Sequence, residues 1–238
     1  MDCSRRIPLV NFPIPVRAVA LDLDGTLLHT APDLADAANR MLHALGRPML
    51  PEALVMTYVG NGAARLVKRL LTGDMEAEPD AALFAQAQDL FFEHYAEVLT
   101  RRSAPYPGAM EGIRQLHEAG YTLACITNKP ERFTRPLLQA MGMLPYFSLV
   151  LSGDSLPRKK PDPLPLQHMA EAFGVGVAQM VMIGDSGADV DAARAAGCAV
   201  IAVSYGYNRG RPAAMLGADA VIDSLQEAAL LLTYDQHV

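Results

Sequence analysis

Two acids two residues apart, Asp22 and Asp24, close the apolar run VRAVAL, and Gly25 follows at once. In an extended chain residues i and i+2 project to the same side, so both carboxylates are expected to face one pocket while Leu23 packs away from it. Paired carboxylates repel each other, and a cation normally offsets that cost. An all-oxygen set of Asp22, Asp185 and a backbone carbonyl suits Mg2+ with retained waters better than zinc, since the sequence offers no Cys or His cluster. Crowding of like charges also separates pKa values, which lets one carboxylate stay ionised as a nucleophile while its neighbour holds a proton.

Phosphoryl transfer needs positioning and charge neutralisation above all. Lys160 can supply the positive charge, the Thr127 hydroxyl and Asn128 N–H can bind phosphoryl oxygens, and Gly25 permits close backbone approach. The chain has only four lysines, Lys68, Lys129, Lys159 and Lys160. Lys129 competes with Lys160 for the same role because it follows Thr127 so closely. Each residue also has a structural reading: Thr127, Asp185 and Asp189 can cap or complement helix N-termini, and His29 can be a packed histidine.

These residues need a scaffold that brings distant segments together. Short apolar runs at 16–25, 121–127, 146–153, 179–185 and 198–204, with a weaker one at 219–223, read as buried parallel strands. Helical patterns between them close on Gly142, Gly174 and Gly197, as expected just past a helix C-terminus. Strands alternating with helices predict an α/β fold with a doubly wound parallel sheet. The polar candidates all fall at the carboxyl ends of those strands, where such sheets bind ligands.

The stretch between Gly25 and Tyr121 breaks the alternation and reads as helices only, with helices expected over 32–45, 51–59, 63–71 and 79–100. We expect an N-terminal extension at 1–15, an α/β core at 16–30 and 105–238, and an inserted all-helical cap at 31–104.

Composition narrows the partners. The 238 residues carry 20 Lys and Arg against 26 Asp and Glu, a net charge of -6, and no basic stretch longer than Arg158-Lys159-Lys160. That pattern lacks a nucleic-acid footprint and points to a small-molecule partner. No run of about 18 apolar residues occurs, so no membrane helix is expected. The N-terminal IPLVNFPIPV, preceded by Arg5 and Arg6, is broken by Pro8, Pro13 and Pro15 and does not read as a signal peptide. Cys3, Cys125 and Cys198 are an odd, scattered set, which fits free thiols and a cytoplasmic location. Nothing in the composition sets an oligomeric state.

The segments LDLDGTLL (21–28), ITNKP (126–130), KKPDPLPL (159–166) and GDSGADVDAARAAG (184–197) resemble the four ordered motifs of the haloacid dehalogenase-like hydrolase superfamily. The resemblance implies a Rossmann-like core with a helical cap. It implies an aspartyl-phosphate on Asp22, with Asp24 protonating the leaving oxygen and then activating water. Thr127 and Lys160 would hold the phosphoryl group, and the Mg2+ set would be drawn from Asp22, Asp24, Asp185 and Asp189. An acid at position 24 separates phosphatases from the dehalogenases proper.

TAPDL (30–34), YVGNGA (58–63) and VSYGYNRG (203–210) further resemble bacterial phosphoglycolate phosphatases. His29 and Thr30 depart from the acid and serine common in that family after DGTL. A substrate such as 2-phosphoglycolate needs a cationic clamp for its carboxylate. Arg65, Lys68 and Arg69 share one helix face, and Arg65 is the expected clamp. The alternatives are a related phosphatase for pyrophosphate, a phosphosugar or a nucleotide, a phosphonate hydrolase using Lys68 as a Schiff base, and a phosphorylatable module without turnover.

Overall fold

The structure is a computed structural model that describes residues 11–208 and 210–235. Cys3, Arg5, Arg6, most of the expected extension and position 209 of the VSYGYNRG motif lie outside those residues. In chain order the elements are β1 (Ile14–Val16), β2 (Ala18–Leu21), β3 (Leu28–His29), α1 (Ala31–Ala44), α2 (Glu52–Tyr58), α3 (Ala63–Thr72) and α4 (Ala81–Val98). There follow β4 (Ala104–Pro105), α5 (Ala109–Glu118), β5 (Thr122–Ile126), α6 (Glu131–Ala140), β6 (Leu149–Leu151), α7 (Leu164–Phe173) and β7 (Met180–Gly184). The chain ends with α8 (Gly187–Ala196), β8 (Ala199–Val203), β9 (Ala220–Ile222), α9 (Ala228–Leu231) and β10 (Leu232–Tyr234).

Six strands form a parallel sheet in the order β6-β5-β2-β7-β8-β9. β2 is buried throughout, and its alternation explains how: Val19 and Leu21 join one apolar cluster with Ile113 and Leu116 of α5, while Ala18 and Ala20 join another with Leu166 and Met169 of α7. Helices therefore cover both faces, as the unbroken apolar runs predict. The chain leaves β2 for β5 on one side and later returns to β7 on the other. This reversal of order leaves a crevice at the carboxyl end of β2, where open α/β sheets bind ligands.

The stretch read as an extension includes Ile14 and Pro15, which pair in parallel with Leu232 and Thr233 of β10. Of the run at 146–153 only Leu149–Leu151 forms strand, and residue 146 belongs to the 3-10 turn Leu144–Tyr146.

The insertion α1–α4 has its own apolar core, in which Met41 and Leu42 of α1, Val55 of α2, Val67 of α3 and Phe91 and Tyr95 of α4 are buried together. Asp80 caps α4 by accepting from Leu83 N at 2.9 Å. The chain enters the cap through β3 and leaves through β4, and these two strands pair antiparallel, Leu28 with Pro105 and His29 with Ala104. Asp33, fully buried in the first turn of α1, accepts from Arg102 N, Ser103 N and Ser103 Oγ, the last two at 2.7 Å. Among the described residues no helix is long and apolar enough to cross a membrane.

Candidate active site

Asp22 extends β2 by one rung, donating its N–H to Ile183 O at 3.0 Å, and its carboxylate emerges at the crevice. Asp185 follows β7, and Asp189 sits in the first turn of α8. These three carboxylates lie within 4.8 Å of one another and are all buried. Lys160 reaches them from the loop before α7: Nζ is 2.9 Å from Asp22 Oδ1 and 2.6 Å from Asp189 Oδ1, and it donates to Ile126 O. Ser186 N and Oγ hold the other oxygen of Asp189, at 3.0 and 2.7 Å. Tyr207 N donates to Asp185 Oδ2, and Thr26 Oγ1 approaches Asp185 Oδ1 at 3.4 Å.

Three buried carboxylates facing one ammonium leave the cluster with excess negative charge. Burial pushes the Asp22 carboxyl up to about 7; Lys160 opposes the shift and Asp189 adds to it. Burial, with Asp22 and Asp189 beside it, holds Asp185 well above the usual carboxylate range. Burial alone would lower Lys160, but Asp189 and Asp22 outweigh it and keep the ammonium protonated.

A divalent cation fits this set. The donors are all oxygen, and Asp22 Oδ1 is buried with the Lys160 ammonium 2.9 Å away. The site is also cleared of side chains. A Cβ on Gly25, whose φ is +92°, would fall 2.1 Å from Asp185 Oδ2, and one on Gly206 would fall 2.1 Å from Asp185 Cβ. Asp22, Asp185 and Asp189 could hold Mg2+ there.

Asp24, expected in the metal set, is not brought to that cluster. Past Leu21 the chain turns, and Asp22 and Asp24 still line one cavity, as expected, while the Asp24 carboxylate stands apart from the Asp22, Asp185 and Asp189 cluster. Its carboxylate instead meets Lys129 Nζ at 3.1 and 3.2 Å and accepts from Thr30 Oγ1 at 2.7 Å. The two competing lysines are thus divided, Lys160 on Asp22 and Lys129 on Asp24. Thr127 is buried at the end of β5 with its hydroxyl accepting from Lys129 N at 3.2 Å. The Asn128 amide donates to Lys160 O at 2.9 Å and to Gly60 O of the cap at 3.3 Å, and its Oδ1 is buried without a hydrogen bond.

A cavity of about 30 Å3 lies beside Asp22 and Asp24, beneath the cap. Thr127, Asn128, Lys129, Pro130 and Phe133 line its core side; Leu34, Val59, Gly60, Gly62, Ala63, Leu66, Phe91 and Tyr95 line its cap side. Arg65, the expected clamp, is absent from this wall and lines a neighbouring cleft with Lys159 and Lys160. It points to Glu78, 3.2 Å away, and to Glu76 O. Lys68 likewise pairs with Glu78 and lies over Phe84, so no Schiff-base lysine reaches the cavity from the cap.

Two tyrosines complete the surroundings without having stood out in the sequence. Tyr95 OH accepts from Lys129 Nζ, whose ammonium also lies 4.6 Å from the ring centroid. Tyr207 OH accepts from Thr30 N at 2.7 Å and Ala31 N at 2.9 Å and lies 3.0 Å from His29 Nδ1. Tyr95 reads in sequence as one more core aromatic of a long helix. Tyr207 lies in the quoted VSYGYNRG segment, which was the available signal.

The model of a family described as haloacid dehalogenase-like hydrolase matches residues 16–197. A phosphoglycolate phosphatase of Thiobacillus denitrificans is 56% identical over 94% of this chain and 98% of that protein. One from Nitrosospira multiformis is 51% identical over the same shares. Among solved structures, a predicted phosphoglycolate phosphatase from Haemophilus somnus superposes with a TM-score of 0.84 at 38% identity, covering 89% of this chain and 96% of that one.

Proposed function

The chain belongs to the haloacid dehalogenase-like hydrolase family, and on that premise we propose that it is a Mg2+-dependent phosphatase hydrolysing 2-phosphoglycolate to glycolate and phosphate. The observation that carries the chemistry is the convergence of Lys160, Asp185 and Asp189 on Asp22. The substrate is supported by the names of relatives that share about half of its residues or more. The buried free thiols of Cys125 and Cys198 accord with a cytoplasmic location.

In this reading an Asp22 carboxylate oxygen attacks phosphorus, the phosphorus–oxygen bond to glycolate breaks, and Asp24 gives its proton to the departing oxygen. Asp24 then takes a proton from water, whose oxygen attacks phosphorus and releases phosphate, regenerating Asp22. Lys160 orients and neutralises Asp22, while Thr127 and Asn128 offer donors to the phosphoryl oxygens. Mg2+ held by Asp22, Asp185 and Asp189 would supply charge neutralisation for the carboxylates and the phosphoryl group.

Phosphate release from a panel of phosphorylated metabolites, ranked by kcat/KM with Mg2+ present, tests this. 2-Phosphoglycolate should rank first, and Asp22→Asn should reduce turnover by at least about 10^4-fold. Activity that survives that substitution would overturn the nucleophile; a different leading metabolite would overturn the substrate alone.

A further inference from the structure

The cavity beside Asp22 is apolar on its cap side and charged on its core side. Its cap wall is apolar except for one phenol, Tyr95. Its core wall carries the two acids, the neutral Thr127 and Asn128, and one cation, Lys129. Among the described residues lining this cavity, Lys129 is the sole positive charge. Lys160, although near, is occupied by Asp22, Asp189 and Ile126 O, and Arg65 and Lys68 are held at Glu78 outside the cavity.

We infer that Lys129, positioned by Tyr95, is the specificity residue that receives the substrate's carboxylate, and that the substrate takes it from Asp24. The inference rests on the phosphoglycolate reading. A phosphate monoester placed with phosphorus at Asp22 extends the remainder of the molecule toward Asp24 and the cap. A carboxylate there meets two acids, hydrocarbon and the neutral Thr127 and Asn128, and an anion in such surroundings is strongly disfavoured unless paired with a cation. Lys129 offers that pairing from a position only 4% exposed, where a charge-assisted contact is screened least.

The geometry also supplies the exchange. Lys129 Nζ now sits between both oxygens of Asp24, at 3.1 and 3.2 Å, while Tyr95 OH holds it from the other side. Asp24 engaged in this way is not directed at a leaving oxygen. A substrate carboxylate that displaces Asp24 from the ammonium leaves that acid free to turn to the scissile bond, with Tyr95 keeping Lys129 in place. An ester without the carboxylate leaves the Asp24–Lys129 pair closed. The apolar residues Leu34, Phe91 and Phe133 limit the chain between the two charges to a short one.

The test compares 2-phosphoglycolate with ethyl phosphate, which keeps the two-carbon ester and lacks the carboxylate. The readout is the ratio of their kcat/KM values. In wild-type enzyme the ratio favours phosphoglycolate, and Lys129→Met collapses it by about 10- to 100-fold, the effect of losing one buried charge-assisted contact. Tyr95→Phe, which keeps the ammonium and removes its guide, lowers the same ratio by a smaller factor through KM for phosphoglycolate. Arg65→Ala leaves the ratio unchanged. Should Lys129→Met fail to fold, the Tyr95→Phe ratio decides. A ratio untouched by both substitutions overturns the inference while leaving the phosphatase reading in place. A wild-type enzyme that does not prefer phosphoglycolate overturns the substrate reading itself.

Discussion

Tyr207 and Asp185 connect the carboxylate cluster at the end of the sheet to the root of the cap: the tyrosine N–H donates to the Asp185 carboxylate, and its phenol oxygen accepts two backbone N–H groups where α1 begins. Burial, with Tyr106 nearby, raises the Tyr207 hydroxyl far above the ordinary phenol range, so it stays neutral and keeps its acceptor role. One residue therefore touches both the carboxylate cluster and the linker through which the cap joins the core.

Tyr207→Phe removes the acceptor for Thr30 N and Ala31 N while preserving the N–H to Asp185. Leaving two buried donors short of a partner should cost about 1–3 kcal/mol in urea unfolding. The Mg2+ concentration giving half-maximal activity should move less than kcat/KM does. A variant with wild-type stability would show that those donors find another partner.

The metal-free protein should lose stability as pH rises through the range set by Asp22. Its carboxyl ordinarily titrates at 3.8 and is pushed up to about 7 by burial, so the folded chain holds this proton more tightly than the unfolded one. That contribution is complete below about pH 4 and is lost as pH climbs through about 7; Asp185 shifts in the same direction. Mg2+ binding favours the ionised carboxylates, so the rise in Tm on adding Mg2+ should be larger at pH 8 than at pH 5. Scans with chelator and with Mg2+ at both pH values measure it, and equal increments would contradict the assignment of Asp22 and Asp185 as ligands.

Asp33 fastens the cap's exit linker to its first helix through Arg102 N, Ser103 N and Ser103 Oγ. Asp33→Asn keeps the size but loses the charge and turns one acceptor into a donor facing other donors. We expect a loss of about 1.5–3 kcal/mol in unfolding free energy, with the Mg2+ requirement unchanged. Unaltered stability would mean that the exit linker is held by β4 alone.

The core was legible because its strands are buried on both faces and end in polar residues, so sequence position alone put Asp22, Thr127, Lys160, Asp185 and Asp189 at one edge. The Asp24 carboxylate, expected among the metal ligands, lies outside the three-carboxylate cluster and pairs with Lys129, a contact that strand alternation up to Leu21 does not encode. The surroundings of Arg65 were not legible, because helical spacing tells which residues share a face and not what lies opposite; here Glu76 and Glu78 lie opposite. Tyr95 had no local signal, since its role depends on Lys129, 34 residues away in sequence.

The pairing of Leu28 with Pro105 and of His29 with Ala104 has a further consequence. In topology the whole cap is the loop of a β-hairpin, with its two ends held side by side. Closing a loop costs little more as it lengthens, so the β3–β4 pairing can close over a folded bundle almost as readily as over a short turn. Recombination at residues 29 and 104 should therefore exchange the cap without breaking the parallel sheet, at the loss of the Tyr95 and Gly60 contacts to Lys129 and Asn128.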